Sequence, residues 1–282
     1  MDLQPRLETE LGVGVTALRR AGAGNTGALV QFRDGAGHAY IAKTAEGGGV
    51  SLEIEGYMLR LLEDGGLPVP RVYLGADDLL VMDDLQPNAR GGRDFEAEAG
   101  TALARLHRDN EGDMYGLDRD TLIGPLDQPN NRESDWLTFF RDHRLLAFAR
   151  HARDKGRIDR QLMRNIEALA GKLDSYITRP ETPRLLHGDA WAGNILARDG
   201  HLAGFIDPAI YYGDPEIELA FVHLMGGKSQ DFFDSYYTIM PYREGFNELR
   251  RDLYNLYPLL VHTILFGGGY AREVARIVTR LC

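Results

Sequence analysis

Two apolar segments that each end in a carboxylate constrain this chain more than any other feature. The first runs through His187-Gly188-Asp189, and Asn194 follows in the pattern Asp-x-x-x-x-Asn. The second is Gly204-Phe205-Ile206-Asp207-Pro208. Short apolar runs bounded by turn residues are typical of buried strands. Each segment is therefore expected to place its carboxylate at the end of a strand or in a loop.

Two carboxylates and an amide at this spacing suit phosphoryl transfer. That reaction uses one carboxylate to orient an attacking hydroxyl, and an amide with a second carboxylate to hold Mg²⁺. We predict Asp189 as the catalytic base and Asn194 and Asp207 as the metal ligands. Short motifs also occur in ordinary turns, so the rest of the chain has to support this interpretation.

Composition excludes several classes of function. The 282 residues are 44% apolar and 26% charged, and the net charge of −10 disfavours a nucleic-acid-binding surface. No apolar run approaches the roughly 20 residues of a membrane span, so neither nucleic acid nor membrane is an expected partner. The single cysteine, Cys282, excludes an intrachain disulfide. We expect a cytoplasmic protein, because no secretory leader is visible, and we favour a monomer.

A glycine-rich segment near the N-terminus matches the pattern G-x-G-x-x-G. The pattern serves dinucleotide-binding folds when a helix follows it, and phosphate-covering hairpins when a strand follows it. Here residues 28–33 and 38–43 are short β-prone segments separated by Asp34-Gly35, a turn signal. We therefore predict a hairpin that covers the phosphates of a nucleotide. Its predicted contacts are Gly22, Gly24, Asn25, Thr26 and Gly27.

A lysine and a glutamate follow the hairpin. Lys43 ends the second strand, where it could contact the α- and β-phosphates of ATP. Apolar residues at helical spacing predict a helix over residues 52–63, and Glu55 on this helix is predicted to pair with Lys43. Glu53 is a competing partner, but it lies two positions away and cannot share the face of Glu55.

An apolar strand over residues 79–82 runs into a polar segment that we interpret as a hinge. In a kinase, a hinge presents backbone donors and acceptors to adenine. The predicted contacts are Met82, Asp83, Asp84 and Leu85. The predicted fold class is α+β: a bilobal protein-kinase-like fold, with an antiparallel sheet and a helix in an N-lobe (1–84) and a mostly helical C-lobe (85–282).

The substrate would meet Asp189 from the C-lobe. Trp191 offers an aromatic face beside the predicted base. The loop-rich stretch 109–135 is long enough to be a binding loop, and it supplies Gln128 and Asn130 as neutral hydrogen-bonding groups. These three residues are the predicted substrate contacts. The following stretch, 136–151, is predicted to be an amphipathic helix whose charges face solvent, and Phe266 and Tyr270 are predicted in the core.

Further short motifs lie at residues 115–117, 123–124, 128–130, 135–136, 139–140, 187–194, 206–209, 212–213, 216–220 and 265–270. Together with the motifs above, they resemble the fructosamine kinase (ketosamine kinase) family, within the kinase-like folds that include aminoglycoside phosphotransferases. The resemblance spans nearly the whole chain. Ala190 stands where this family usually has leucine, and the glycine loop lacks the cysteine that suggests redox control in some relatives.

The resemblance implies Mg²⁺- and ATP-dependent phosphorylation of ketosamines at the 3-hydroxyl. The product is unstable and releases the attached amine, so the reaction is a deglycation repair. The substrate would be a small molecule or a protein-linked ketosamine.

Two alternatives remain open in the sequence. One is another small-molecule kinase, acting on an aminoglycoside, choline or a sugar. A cationic aminoglycoside would need several converging carboxylates, which the residues near Asp214, Glu216 and Glu218 could supply. The other is a nucleotide-binding protein without catalytic activity, although all the predicted catalytic residues are present. Measuring the turnover of several acceptors in parallel would separate the three.

Overall fold

The N-terminal part of the molecule is an antiparallel sheet of five strands. The computed structural model describes residues 3–24, 27–45, 51–88 and 92–281. The strand order is β1-β2-β3-β5-β4. The elements are α1 (Leu3–Leu11), β1 (Val15–Gly24), β2 (Gly27–Asp34), β3 (Ala39–Ala45), α2 (Leu52–Asp64), β4 (Val72–Gly75) and β5 (Leu79–Asp83).

Alternation along the central strands decides which helix covers which face of this sheet. Tyr40 and Ala42 of β3 face a cluster that includes Leu7 of α1. Ile41, between them, packs on the other face with Leu59 of α2. Successive strand residues point to opposite faces, so helix α2, which carries Glu55, lies on the face that includes Ile41.

The glycine-rich segment forms a hairpin, as predicted. Strands β1 and β2 are antiparallel neighbours, and Gly24 is paired with Gly27. Gly22 and Gly24 belong to β1, and Gly27 opens β2. A strand follows the glycines instead of a helix, which excludes the dinucleotide-binding alternative. Asn25 and Thr26 lie outside the described residues.

The C-terminal part is mostly helical and contains short strand pairs. Its elements are α3 (Arg93–Asp109), β6 (Thr121–Ile123), β7 (Leu126–Gln128), α4 (Trp136–Phe139), a π-helix (Phe140–Leu146), α5 (Ala147–Asp154), α6 (Arg160–Ala170), a 3₁₀ turn (Leu173–Ser175), β8 (Arg184–Leu186), a 3₁₀ turn (Ala192–Asn194), β9 (Ile195–Arg198), β10 (His201–Phe205), β11 (Tyr211–Gly213), α7 (Pro215–Met225), α8 (Gln230–Ile239), a π-helix (Phe246–Arg250), α9 (Arg251–Phe266) and α10 (Gly269–Leu281). The architecture is α+β. We propose the lobe boundary after residue 84, between β5 and α3.

Two of the short strand pairs position the carboxylates of Asp189 and Asp207. Strand β8 pairs with β11, and Asp189 follows β8. Strand β9 pairs with β10, and Asp207 follows β10.

Within the described ranges, no helix is both long enough and apolar enough to cross a membrane.

Two expectations about the C-terminal part are wrong. The predicted helix over 136–151 is interrupted by the π-helical segment, and its Arg144 is completely buried instead of facing solvent. Phe266 and Tyr270, expected in the core, are 66% and 36% exposed. Both residues lie beyond the tightly packed middle of α9, where the chain turns through Gly267 and Gly268.

Helices α3 and α8 are in close contact at Gly100. A Cβ atom at this position would lie 2.1 Å from the carbonyl oxygen of Phe232. We expect Gly100→Ala to destabilise the protein by about 1–3 kcal/mol or more, the usual cost of overpacking a well-packed core. Urea unfolding followed by circular dichroism measures it. Gly35→Ala is the control, because nothing lies within 4 Å of its added Cβ. Equal stability of the two variants would contradict the close packing.

Candidate active site

A cleft of about 320 Å³ brings together most of the predicted site residues. It lies between the N-terminal sheet and the loops that follow β8 and β10. Leu29 and Gln31 of β2 also line it, although no motif predicted them as contacts. They are two positions apart on one strand, so they lie on the same face of the sheet, and the alternation of β2 could have identified them. The predicted residues in its lining are Lys43, Glu55, Met82, Asp83, Asp84, Leu85, Asp189, Trp191, Asn194 and Asp207.

Lys43 joins the two parts of the molecule. Its Nζ lies 2.5 Å from Oε1 of Glu55 and 2.5 Å from Oδ1 of Asp207. Burial lowers the pKa of the Lys43 ammonium, but the two carboxylates outweigh it and raise that pKa above its ordinary value. Lys43 therefore stays charged. Glu53 pairs with Arg119 instead, so Glu55 is the partner of Lys43, as predicted.

Asp207 is held in an uncommon backbone conformation. Its φ is +52°, in the left-handed region that few residues other than glycine adopt. Such a residue costs on the order of 1–3 kcal/mol and persists where the surroundings hold it. The ion pair with Lys43 supplies part of that support. Asp207 also lines the cleft, and its side chain is 44% exposed.

Asp189 and Asn194 are held together by hydrogen bonds within their loop. The amide Nδ2 of Asn194 donates to the carbonyl oxygen and to Oδ2 of Asp189, both at 2.9 Å. Burial raises the pKa of Asp189 well above its ordinary value, and the negative charges of Asp207 and Glu218 add to the shift. A cation bound in the cleft would act in the opposite direction.

Glu218 of α7 fixes the backbone of this loop. Its carboxylate accepts from the backbone N–H groups of His187 at 3.0 Å and Gly188 at 2.6 Å. It also lies 2.8 Å from Nε2 of the buried His107. Gly188 has a φ of +83°, and a Cβ there would lie 1.9 Å from the carbonyl oxygen of Ala209. Only glycine fits between the two strand ends.

The prediction that Gln128 and Asn130 contact the substrate is wrong. Both side chains are completely buried and absent from the lining of the cleft, so they cannot contact a substrate there. The amide of Gln128 donates to Oγ1 of Thr121 and to the carbonyl of Ala209, and it accepts from the hydroxyl of Tyr257. They brace the segment around β6, because a buried amide needs partners inside the protein.

Trp191 lies at the edge of the cleft and is 36% exposed. A Cβ at Gly193 would lie 2.3 Å from its ring, so this glycine lets the loop fold against the indole.

A second, smaller cavity of about 30 Å³ also has Asp189 in its lining. His262 of α9 lies in the same lining, and no pattern in the sequence had singled out this histidine.

The donor set around Asp207 suits Mg²⁺. Among the residues that the structure describes, no group of three or more His, Cys, Asp or Glu side chains could hold a metal ion by itself. Mg²⁺ at phosphate sites usually takes only one or two protein oxygens and completes its octahedron with phosphate and water. The carboxylate of Asp207 and the amide oxygen of Asn194 fit that requirement.

Comparison with known proteins agrees with this geometry. The profile of the fructosamine kinase family matches residues 8–282. The probable ketoamine kinase YniA of Escherichia coli K12 is 33% identical over 287 residues, covering 98% of this chain and 96% of the relative. The probable ketoamine kinase slr1563 of Synechocystis is 36% identical over 192 residues, covering 67% of this chain and 63% of that relative's length.

Solved structures agree as well. A crystal structure described as a "putative fructosamine-3-kinase" from Thermobifida fusca YX-ER1 has a TM-score of 0.90 and 30% identity, and the match covers 99% of both chains. An aminoglycoside phosphotransferase, APH(4)-Ia with ADP and hygromycin B, has a TM-score of 0.65, covers 100% of this chain and 98% of its own, and is 16% identical, which shows the kinase-like fold alone. This chain belongs to the fructosamine kinase family.

Proposed function

We propose that the protein transfers the γ-phosphoryl group of ATP to the 3-hydroxyl of ketosamines. One observation carries the proposal: Lys43, Asp189, Asn194 and Asp207 line one cleft. This is the set that phosphoryl transfer requires, because catalysis there consists of positioning and charge neutralisation. The family membership supports the acceptor class, which the catalytic residues alone cannot select.

We assign the nucleotide to the end of the cleft that contains the hinge and Lys43. Met82, Asp83, Asp84 and Leu85 follow the edge of the cleft around the end of β5, where the adenine would lie. Lys43, kept charged by its two carboxylates, would hold α- and β-phosphate oxygens. The glycine hairpin would cover the phosphates with Gly22, Gly24 and Gly27. Mg²⁺ would be held by Asn194 and Asp207, and it would neutralise the charge of the phosphates.

Asp189 is assigned as the base. It would accept a hydrogen bond from the 3-hydroxyl and take up its proton as the oxygen attacks the γ-phosphorus. Asn194 orients this carboxylate through its amide. Burial raises the pKa of Asp189 above its ordinary value, which makes its carboxylate a stronger proton acceptor.

The acidic residues that could have favoured an aminoglycoside are not available to a ligand. Asp214 accepts from Arg243 and from the hydroxyl of Tyr254. Glu216 is paired with Arg243 and Arg250. Glu218 accepts from the backbone N–H groups of His187 and Gly188. All three carboxylates are buried. A ketosamine needs fewer charges, and Trp191 offers an aromatic face for the C–H surface of its sugar chain. We therefore favour ketosamines, free or linked to protein, over cationic antibiotics.

Asp189→Asn should retain the fold and ATP affinity while kcat falls by at least about 100-fold, the scale of losing a general base. The measurement is steady-state kinetics with fructosyl-lysine, together with nucleotide titration of the same variant. Near-normal turnover would contradict the assignment of Asp189 as base.

Asp207→Ala should abolish Mg²⁺-dependent nucleotide binding, because only the neutral Asn194 would remain as a protein ligand. Isothermal titration of ATP with and without Mg²⁺ measures this. Asp154→Ala, which removes an exposed carboxylate from the end of α5, is the control and should behave like the wild type. An unchanged metal dependence in Asp207→Ala would show that Asp207 is not a ligand.

The acceptor assignment is tested by measuring ATP consumption with fructosyl-lysine, ribulosyl-lysine, choline and kanamycin in parallel. We expect turnover of the ketosamines and none of kanamycin. Trp191→Ala should raise the KM for the ketosamine more than the KM for ATP, because the indole would contact only the acceptor. Efficient kanamycin phosphorylation would favour the antibiotic-kinase alternative, and unchanged ketosamine kinetics in Trp191→Ala would make this tryptophan structural.

A further inference from the structure

Helix α2 presents two separate groups of polar side chains. Glu55 is buried against Lys43. Glu53 and Tyr57 are four positions apart, so they lie next to each other on another face of the helix. The helix that fixes Lys43 is therefore itself contacted on a second side, and that side faces the C-terminal part of the molecule.

The contacts on this second side come from Asp118 and Arg119, just before β6. The guanidinium of Arg119 donates to both carboxylate oxygens of Glu53, at 3.2 and 2.8 Å. The same guanidinium lies 4.7 Å from the centre of the Tyr57 ring. The hydroxyl of Tyr57 donates to Asp118 at 3.2 Å. We call these four residues, Glu53, Tyr57, Asp118 and Arg119, the α2 latch.

The C-terminal half of the latch is anchored in the core. Asn130 donates from Nδ2 to Oγ1 of Thr121 at 2.8 Å, and its backbone N–H donates to Asp120 at 2.8 Å. Its Oδ1 accepts from Arg144 at 2.7 Å. Arg144 is completely buried, with its guanidinium 3.9 Å from the centre of the Tyr211 ring. The segment that carries Arg119 is thus attached to the same buried network that contains Gln128.

A displacement of α2 would alter the active site, because it would move Glu55 away from Lys43. The lysine has two carboxylate partners, Glu55 and Asp207. Without Glu55, its charge would be left to Asp207 alone, the residue assigned to Mg²⁺. A shift of the helix would then remove the support of the phosphate-binding lysine and make the metal ligand less available. Both effects weaken nucleotide binding.

We propose that Arg119 is a positioning residue, which holds α2 in the place where Glu55 supports Lys43. Kinases that depend on a phosphorylated activation loop control the corresponding helix through that loop. Here a fixed segment of the C-terminal part holds the helix by an ion pair and a cation–π contact. The inference rests on the proposed role of Lys43 in nucleotide binding.

The first test is Arg119→Met, which keeps the length of the side chain and removes its charge. We expect the KM for ATP to rise about 5- to 20-fold, the effect of losing one partly exposed ion pair and one cation–π contact. The KM for the ketosamine should change less than twofold. Arg153→Met is the matched control, because it removes an exposed ion pair with Asp154 on α5, and it should leave both values unchanged.

Hydrogen exchange gives a readout that does not depend on activity. In Arg119→Met the amides of residues 52–64 should exchange faster than in the wild type, while those of α5 should not. The reversed pair, Glu53→Arg with Arg119→Glu, should restore both the ATP KM and the exchange rates relative to either single variant. Arg119→Lys, which keeps the charge, should lie between Met and wild type and serves if Arg119→Met does not fold.

The outcomes separate this inference from the proposed function. A folded Arg119→Met with wild-type ATP KM and wild-type exchange in α2 would overturn the latch while leaving the kinase assignment intact. A reversed pair no better than its single variants would also overturn it. A wild-type protein that does not bind Mg²⁺·ATP would overturn the proposed function, and the exchange measurement would still decide whether Arg119 holds the helix.

Discussion

The site depends on the ammonium group of Lys43, whose side chain is 13% exposed and which is shared by two carboxylates. Lys43 comes from the N-terminal sheet, Glu55 from the helix packed on that sheet, and Asp207 from a strand end far along the chain. Removing charges from water is costly, and it is tolerated when partners of opposite charge are close. The same contact therefore fixes the helix, the lysine and the second carboxylate relative to one another, and it joins the two parts of the molecule.

The loop that carries Asp189 lies near other negative charges. Burial is the larger cause of the raised pKa of Asp189, and the carboxylates of Asp207 and Glu218 raise it further. This arrangement is unfavourable for an isolated phosphate, and it suits a nucleotide that arrives with a divalent cation. Two features fix the backbone of the loop that holds Asp189. The carboxylate of Glu218 accepts hydrogen bonds from it, and Gly188 occupies a place that no larger residue could take.

Local patterns predicted β2, β3 and β5, the hairpin and most of the cleft. Short β-prone segments identify β2 and β3, a continuous apolar run identifies β5, and the spacing of Asp189 and Asn194 identifies the loop, because all these signals depend on near neighbours in sequence. Tertiary partners are not encoded in this way. Asn130 and Arg144 are polar, and polarity alone predicts exposure, yet both are buried because each satisfies the other. Phe266 shows the reverse, an aromatic residue left exposed beyond the packed part of its helix.

The position of the transferred phosphate distinguishes a ketosamine 3-kinase from other phosphotransferases. Wild-type protein would be mixed with Mg²⁺, ATP and fructosyl-lysine, and the products would be followed promptly by ³¹P nuclear magnetic resonance. We expect one new phosphomonoester, coupled to the proton on C3 of the sugar chain, followed by release of free lysine as that ester decomposes. Inorganic phosphate as the sole product, or a phosphate on another hydroxyl with no release of lysine, would contradict this expectation.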